Sequence, residues 1–278
     1  LLSARAGKVI EITAVCAQSR TKDRNVNLSG YAWEDDSIKL ARRNDVDVYV
    51  ELMGGEDGPA KASVEAAIAA GKHVVTANKA LLAHHGHVLA SAAEVAGISL
   101  RFEAAVAGGI PIIKALTEGL AGNKIERIMG VMNGTCNYIL TRMEDSGLPY
   151  SEIFEEANQL GFLEADPNLD VGGVDAAHKL VLLSSIAFGT QVNFNAAQLQ
   201  GIGEISIDDI TAAKGMGYRI KLLGLSQMTD KGLEQSMQPC LVPYNSPLGQ
   251  LEGGTNMVVV EGDNIGQIVL RGAGAGEG

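Results

Sequence analysis

The sequence predicts an α/β chain: a doubly wound parallel sheet first, then a second domain of α+β type. Three observations carry that expectation. Through about residue 108, short β-rich runs alternate with Ala-rich helical runs, a spacing that implies right-handed parallel crossovers. Beyond it, helical patterns come first and strand patterns later, as in a mixed α+β domain. Composition agrees, because 46% of the 278 residues are apolar and only 4% aromatic, enough aliphatic surface for a large packed core and two domains.

Each element follows in order. LLSARAG reads as the tail of a helix, residues 9–16 as a strand, and residues 46–52 as another, closed by Gly54-Gly55. Residues 59–70 (PAKASVEAAIAA) begin on Pro, contain good helix formers and stop at Gly71. Residues 73–76 form a strand, 87–96 a helix ended by Gly97, and 98–103 a strand. In the second half, 111–120 is a helix, 125–132 a strand, 135–145 a helix, 151–160 a helix capped by Ser151, and 174–188 a long apolar helix. Four strand-like runs close the chain, 218–226, 233–242, 257–261 and 265–270, the last two joined by a turn at Gly262-Asp-Asn. The expected division is 1–108 for a Rossmann-like nucleotide-binding domain, 109–270 for a catalytic and dimerisation domain, and 271–278 for a glycine-rich segment.

Charge and cysteine content exclude several classes. Lys and Arg total 22 against 33 Asp and Glu, a net charge of −11, which disfavours general binding to nucleic-acid phosphates. Three Cys, widely spaced and without C-x-x-C, argue against a disulfide framework or structural zinc. The apolar runs fall far short of the roughly 18 residues of a membrane span, and no charged leader precedes an apolar core. The expectation is a soluble cytoplasmic protein with no membrane or nucleic-acid partner.

Ligands of doubly wound sheets sit beyond the carboxyl ends of the strands, which directs attention to the loops after Cys16, Leu52, Thr76 and Glu103. No strand followed by G-x-G-x-x-G opens the chain, so it reads as part of a longer one. The run GAGAGEG (272–278) stands at the end without a following helix and reads alone as a flexible tail. Arg20, Lys22 and Arg24 follow residues 9–16, read as the second strand of such a domain, with no acid between 17 and 21, which leans toward NADP; solvated loop charges are the plainer account. The densest chemical group is GFLEADPNLDVGGVDAAHK (161–179), holding Glu164, Asp166, Asp170, Asp175, His178 and Lys179. Asp175 and Lys179 are i,i+4 and share a helix face. Two accounts stand side by side: a solvated acidic loop with a surface ion pair, or a lysine desolvated beside carboxylates and able to carry a proton, since the next turn (180–183) is wholly apolar. Lys79 in TANK reaches a phosphate or carboxylate at the sheet edge, or follows Asn78 as an exposed residue behind a helix cap. Glu103 before a glycine turn offers a carboxylate and carbonyls for a hard cation, or marks a tight interdomain turn. Cys136 lacks a nearby base and reads as packing; a cysteine-dependent aldehyde dehydrogenase is the rival it would support. A non-enzymatic nucleotide-binding module is the third possibility.

With these pieces placed, the sequence resembles the homoserine dehydrogenases. The resemblance rests on VELMGG (50–55), GKHVVTANKALLA (71–83), FEAAVAGGIPIIKAL (102–116), NGTCNYIL (133–140) and GFLEADPNLDVGGVDAAHKLVLL (161–183), the last highly specific. It implies NAD- or NADP-dependent interconversion of L-homoserine and L-aspartate 4-semialdehyde, in the biosynthesis of threonine, methionine and isoleucine, by a homodimer. It implies Lys179 as proton donor and acceptor, with Lys79 near cofactor and substrate. Glu164, Asp175, Asp170 and Thr135 are the expected substrate contacts. Thr76, Lys79, Gly161, Gly274, Gly276 and Arg20 are those of the cofactor. By the same likeness Glu103, with the carbonyls of Val106, Gly108 and Ile110, binds a sodium ion. The family's N-terminal glycine fingerprint and the C-terminal regulatory domain of many members are not matched.

Overall fold

The structure is a computed structural model and describes residues 2–163 and 167–274. It divides into two compact units: Leu1–Leu81 with His85–Arg101, and Leu82–His84 with Phe102–Gly278.

The first unit runs α1 (Leu2–Ala6), β1 (Ala14–Cys16), β2 (Ala32–Glu34), α2 (Ser37–Ala41), β3 (Val48–Glu51), α3 (Pro59–Ala69), β4 (His73–Thr76), α4 (Lys79–Val95) and β5 (Leu100–Arg101). All strand pairs are parallel, β1 with β2 in one sheet and β3-β4-β5 in another. Val48 and Val50 alternate outward on β3 while Tyr49 and Glu51 are buried, the period of two that places one face on the core. That core joins Ala41, Tyr49, Val64, Ala67, Val74, Leu81 and Leu89. The predicted strands 9–16 and 98–103 are much shorter here. β1 has a partner three residues long, and β5 pairs with β4 at only two positions, so the ladder, not the β-propensity, sets their length. The predicted helix 87–96 begins earlier, at Lys79, because the Asn78 side chain accepts the Leu81 N–H at 3.1 Å and caps it.

The second unit begins with a 3₁₀ turn at Glu103–Ala105 and α5 (Ile112–Lys114), which continues as a π-helix over Ala115–Gly119. There follow β6 (Ile125–Val131), α6 (Gly134–Ser146), α7 (Tyr150–Gln159), α8 (Pro167–Val171), α9 (Val174–Phe188), β7 (Gln198–Leu199), α10 (Ile207–Gly215), β8 (Tyr218–Thr229), β9 (Gly232–Pro243), β10 (Thr255–Gly262) and β11 (Gly266–Ala273). The six strands form one sheet in the order β11-β10-β6-β8-β9-β7, antiparallel except for β7 on β9. α9 lies against β6, β8 and β9 and is buried without interruption from Asp175 to Ser184. A helix apolar all round belongs in a core; burying Leu180, Val181 and Leu183 contributes about 1.5–3 kcal/mol each.

Several expectations are corrected here. Ser151 does not cap α7: the helix opens one residue earlier, and Pro149, with extended backbone, stands at the cap without a side-chain acceptor. Part of the expected 161–173 loop is α8. α10 was not expected; its signal is the S-x-x-D box in which Ser206 and Asp209 bond each other's backbone N–H at 3.1 and 2.9 Å. Met257, Val258, Val259 and Val260 are buried within the unit itself.

Candidate active site

The site grows from the turn between β6 and α6. Met132 leaves the strand and Asn133 adopts extended backbone (φ −126°, ψ 114°), with Oδ1 accepting the Cys136 N–H at 2.8 Å as the helix cap. Gly134 follows because the carbonyl of Gly254 lies only 2.5 Å from where a Cβ would stand, so any side chain would push the 254 segment off the helix start. The cap fixes the Asn133 amide orientation: with oxygen on a backbone donor, nitrogen points the other way. There Nδ2 donates to Asp170 Oδ1 at 2.9 Å and to Asp175 Oδ2 at 3.3 Å.

Asp175 Oδ2 also accepts from Lys179 Nζ at 2.8 Å, one helical turn along α9. Lys179 donates a second hydrogen bond to the Met132 carbonyl at 2.9 Å, and that carbonyl accepts from Asn256 Nδ2 at 3.1 Å. Asn133 (4% exposed), Asp170 (3%), Asp175 (6%) and Lys179 (9%) are all buried, which decides between the two accounts of this stretch: it is no solvated surface pair. A lysine ammonium has three donors; two are directed into the protein, and one is left for a ligand. Carboxylates so placed can bind an ammonium, and the lysine can exchange a proton with a hydroxyl.

Other expected residues border this group. Thr135 Oγ1 donates to the Phe162 carbonyl at 2.9 Å, and the Phe162 ring stacks on Tyr138 with centroids 4.5 Å apart. Arg142 and then Tyr138, both bonded to Glu156, hold its carboxyl down to about 2. The chain entering residue 164 is therefore anchored. Gly161 follows the C-cap Leu160 of α7, its N–H bonded to the Asn158 carbonyl at 3.0 Å. Glu164 and Gly276 lie outside the described residues. Cys136 is fully buried and its thiol is pushed far up, by burial first and then by Asp170 and Asp175, so it is held as the unreactive thiol.

The 103–110 turn is built differently from a free cage. Both Glu103 carboxylate oxygens accept backbone N–H groups, from Ile113 and Lys114, at 2.9 Å each. Ala107 takes a left-handed φ of 52°, rare for a non-glycine. One carboxylate and several carbonyls make a hard oxygen set suited to a monovalent cation. No group of three or more His, Cys, Asp or Glu that could hold a metal occurs among the described residues, so a cation here would rest mainly on carbonyls. Gly109 N–H bonds the Ala273 carbonyl at 3.0 Å, bringing the end of β11 to this turn. At Gly274 a Cβ would stand 2.1 Å from Asn256 Nδ2, so the glycine makes room for the amide that holds Met132. Asn256 Oδ1 is buried without a partner among the described residues, an orphaned acceptor beside the glycine segment.

In the first unit the carboxyl ends of β3 and β4 are tied together. Glu51, fully buried, accepts from the Met53 and Gly54 N–H groups and from Thr76 Oγ1 at 2.6 Å. Thr76 Oγ1 in turn accepts the Asn78 N–H at 3.0 Å, and Asn78 Nδ2 donates to the Gly55 carbonyl at 2.7 Å. Thr76 thus shapes the turn from which Lys79 starts α4, and its hydroxyl is engaged by protein. Arg20 is exposed in the loop after β1, its guanidinium 5.7 Å from the Trp33 ring centroid, with Arg24 at 6.0 Å. The structure gathers Thr135, Asp170, Asp175 and Lys179 about one strand-to-helix turn. Sequence reasoning gave no role to Asn133, Asn256 or Glu51. Asn133 carried a cap signal ahead of a helical run; Asn256 and Glu51 carried none.

The family model described as "Homoserine dehydrogenase" matches residues 111–278, and "Homoserine dehydrogenase, NAD binding domain" matches residues 1–103. The homoserine dehydrogenase of Neisseria gonorrhoeae is 47% identical over 275 residues, covering 99% of this chain and 63% of that protein; that of Pseudomonas aeruginosa is 42% identical with the same coverage. The crystal structure of a homoserine dehydrogenase from Thiobacillus denitrificans superposes with a TM-score of 0.95 at 42% identity, over 99% of this chain and 63% of that one. A hyperthermophilic archaeal homoserine dehydrogenase in complex with NADPH superposes with a TM-score of 0.76 at 28% identity, over 88% and 71%. The chain spans 63% of the length of these two bacterial relatives.

Proposed function

Since this chain belongs to the homoserine dehydrogenase family, we propose that the whole protein interconverts L-homoserine and L-aspartate 4-semialdehyde, with Lys179 carrying the proton. The observation that supports this most directly is the buried Asp175–Lys179 pair, held at 2.8 Å and braced on the Met132 carbonyl. Oxidation of a primary alcohol to an aldehyde needs a group to take the hydroxyl proton, and the remaining Lys179 valence, as the free amine, does so. Asp175 and Asp170, with Glu164, bind the substrate ammonium, a group that simple alcohols lack, which is a basis for selectivity. Thr135 orders the segment leading to Glu164.

A bound nicotinamide nucleotide supplies the hydride acceptor. Thr76, Lys79 and Arg20 would hold it, and the tied turn at β3 and β4 fits such a ligand. Arg20 favours NADP over NAD. A sodium ion at Glu103, Val106, Gly108 and Ile110 fits the oxygen donors there. The whole protein works as a cytoplasmic homodimer in aspartate-family amino-acid biosynthesis; Leu241 and Val269 of the six-stranded sheet remain exposed for such an interface. Among the described residues no helix is long and apolar enough to cross a membrane.

The test is L-homoserine oxidation by the full-length protein, followed at the reduced-nicotinamide absorbance with NAD and NADP in turn. Lys179→Ala is expected to lose about 10²–10⁴-fold in kcat, the usual worth of a positioned acid–base group, with cofactor KM little changed. An active Lys179→Ala variant would sink the mechanism and leave the family standing. An inactive wild type would overturn the function.

A further inference from the structure

Lys179 Nζ has two acceptors, the Asp175 carboxylate and the Met132 carbonyl, and each has a buried asparagine amide as its second donor. The two amides differ in what else they hold. Asn256 donates to a neutral carbonyl. Asn133 uses every polar atom of its side chain: Oδ1 caps α6 on the Cys136 N–H, and Nδ2 faces Asp170 Oδ1 and Asp175 Oδ2. Two carboxylates from two elements thus meet on one neutral amide inside the protein, within reach of a lysine that bonds only one of them.

Buried carboxylates this close repel each other and need donors. Asn133 supplies one hydrogen to each, and its own orientation is fixed by a backbone N–H that cannot turn away. Side-chain rotation of Asp175 would break the Asn133 contact together with that to Lys179, so the amide limits where Lys179 can stand. We propose that Asn133 is a positioning residue of the reaction, setting the Asp170–Asp175 carboxylate pair against which Lys179 is aimed at the substrate. The proposal rests on the reading that Lys179 carries the proton.

Substitution can separate this role from capping. Ser and Asp cap helices about as well as Asn, so Asn133→Ser and Asn133→Asp both preserve the start of α6. Ser ends at its hydroxyl and cannot also reach the two carboxylates. Asp turns an oxygen toward them where a donor stood. The order expected for activity is therefore Asn, then Ser, then Asp, whereas a cap alone puts Asp level with Ser.

The experiment measures kcat and KM for L-homoserine and for NADP in the full-length protein, with thermal unfolding of each variant. Asn133→Ser should lose about tenfold or more in kcat, as for loss of a hydrogen bond to a charged group. Asn133→Asp should lose more, with NADP KM within about twofold and Tm close to wild type for both. Wild-type kcat in either variant, or Asp equal to or better than Ser, overturns the proposal. Lys179→Ala in the same series separates the failures. If it is inactive while the Asn133 variants are active, the positioning role alone is wrong; if it is active, the reading of Lys179 falls and the proposal with it.

Discussion

Cys136 sits three residues beyond the Asn133 cap, and its surroundings suppress the chemistry that a cysteine beside a lysine could offer. The thiol is fully buried and donates to the Asp170 carbonyl at 3.3 Å. Burial and the negative charges of Asp170 and Asp175 outweigh the opposing pull of Lys179, which disfavours the thiolate. Cys136→Ser is therefore expected to keep kcat within about threefold, because a hydroxyl can make the same donation; abolished turnover in homoserine oxidation would reinstate a cysteine nucleophile. Near-inert Cys136 was legible in the sequence, which places no base near it. The Asp175–Lys179 pair was legible for a related reason, since i,i+4 spacing on a helix fixes proximity. Asn133 and Asp175 are 42 positions apart and meet only through the β6–α6 turn, so no local pattern could join them.

At the scale of elements, β8 carries an unexpected weight. Lys221, the fourth residue of the strand and 2% exposed, donates to Asn137 Oδ1 on α6 at 2.8 Å and to the Leu251 carbonyl at 2.5 Å. It thus joins strand, helix and the segment that leads to β10 and lies against Gly134. Burial, then neighbouring Arg219, pushes its ammonium down to about 8. A base whose folded value lies below its unfolded one favours the protonated unfolded chain at neutral pH. Stability should therefore rise as pH climbs from about 8 toward the unfolded value, by at most about 3 kcal/mol from this group. Chemical unfolding of wild type and Lys221→Met across pH 7–10 checks it: the wild-type slope should be the steeper, and equal slopes would show that Lys221 is charged when folded. A charged residue inside a strand pattern gave no hint of this, because its neighbours come from α6 and residue 251. α9, by contrast, was read with its observed bounds, since its apolar run is self-sufficient. β1 and β5 were overread because partners limit a strand's length, and no partner is visible in one segment.

Over the whole molecule, two units form around separate cores. The first has two parallel sheets of two and three strands, with β1 and β3 each paired on one side among the described residues. The crossover pattern of this unit was legible, because alternation of strand and helix is local; which strands would pair was not. A ligand that binds only the folded protein stabilises it by RT ln(1 + [L]/Kd), about 2.7 kcal/mol at a hundredfold excess over Kd. NADP and NAD should therefore both raise Tm of the full-length protein. If Arg20, near the Trp33 face, meets the 2′-phosphate as proposed, NADP should raise it more at equal concentration. Arg20→Ala should bring the NADP shift down to that of NAD and leave the NAD shift unchanged. Added salt should narrow the gap in wild type, as an exposed guanidinium–phosphate contact is screened. Thermal unfolding with each cofactor at two ionic strengths measures all three effects. A larger NAD shift in wild type, or a gap that survives in Arg20→Ala, would place the preference elsewhere than on the loop after β1.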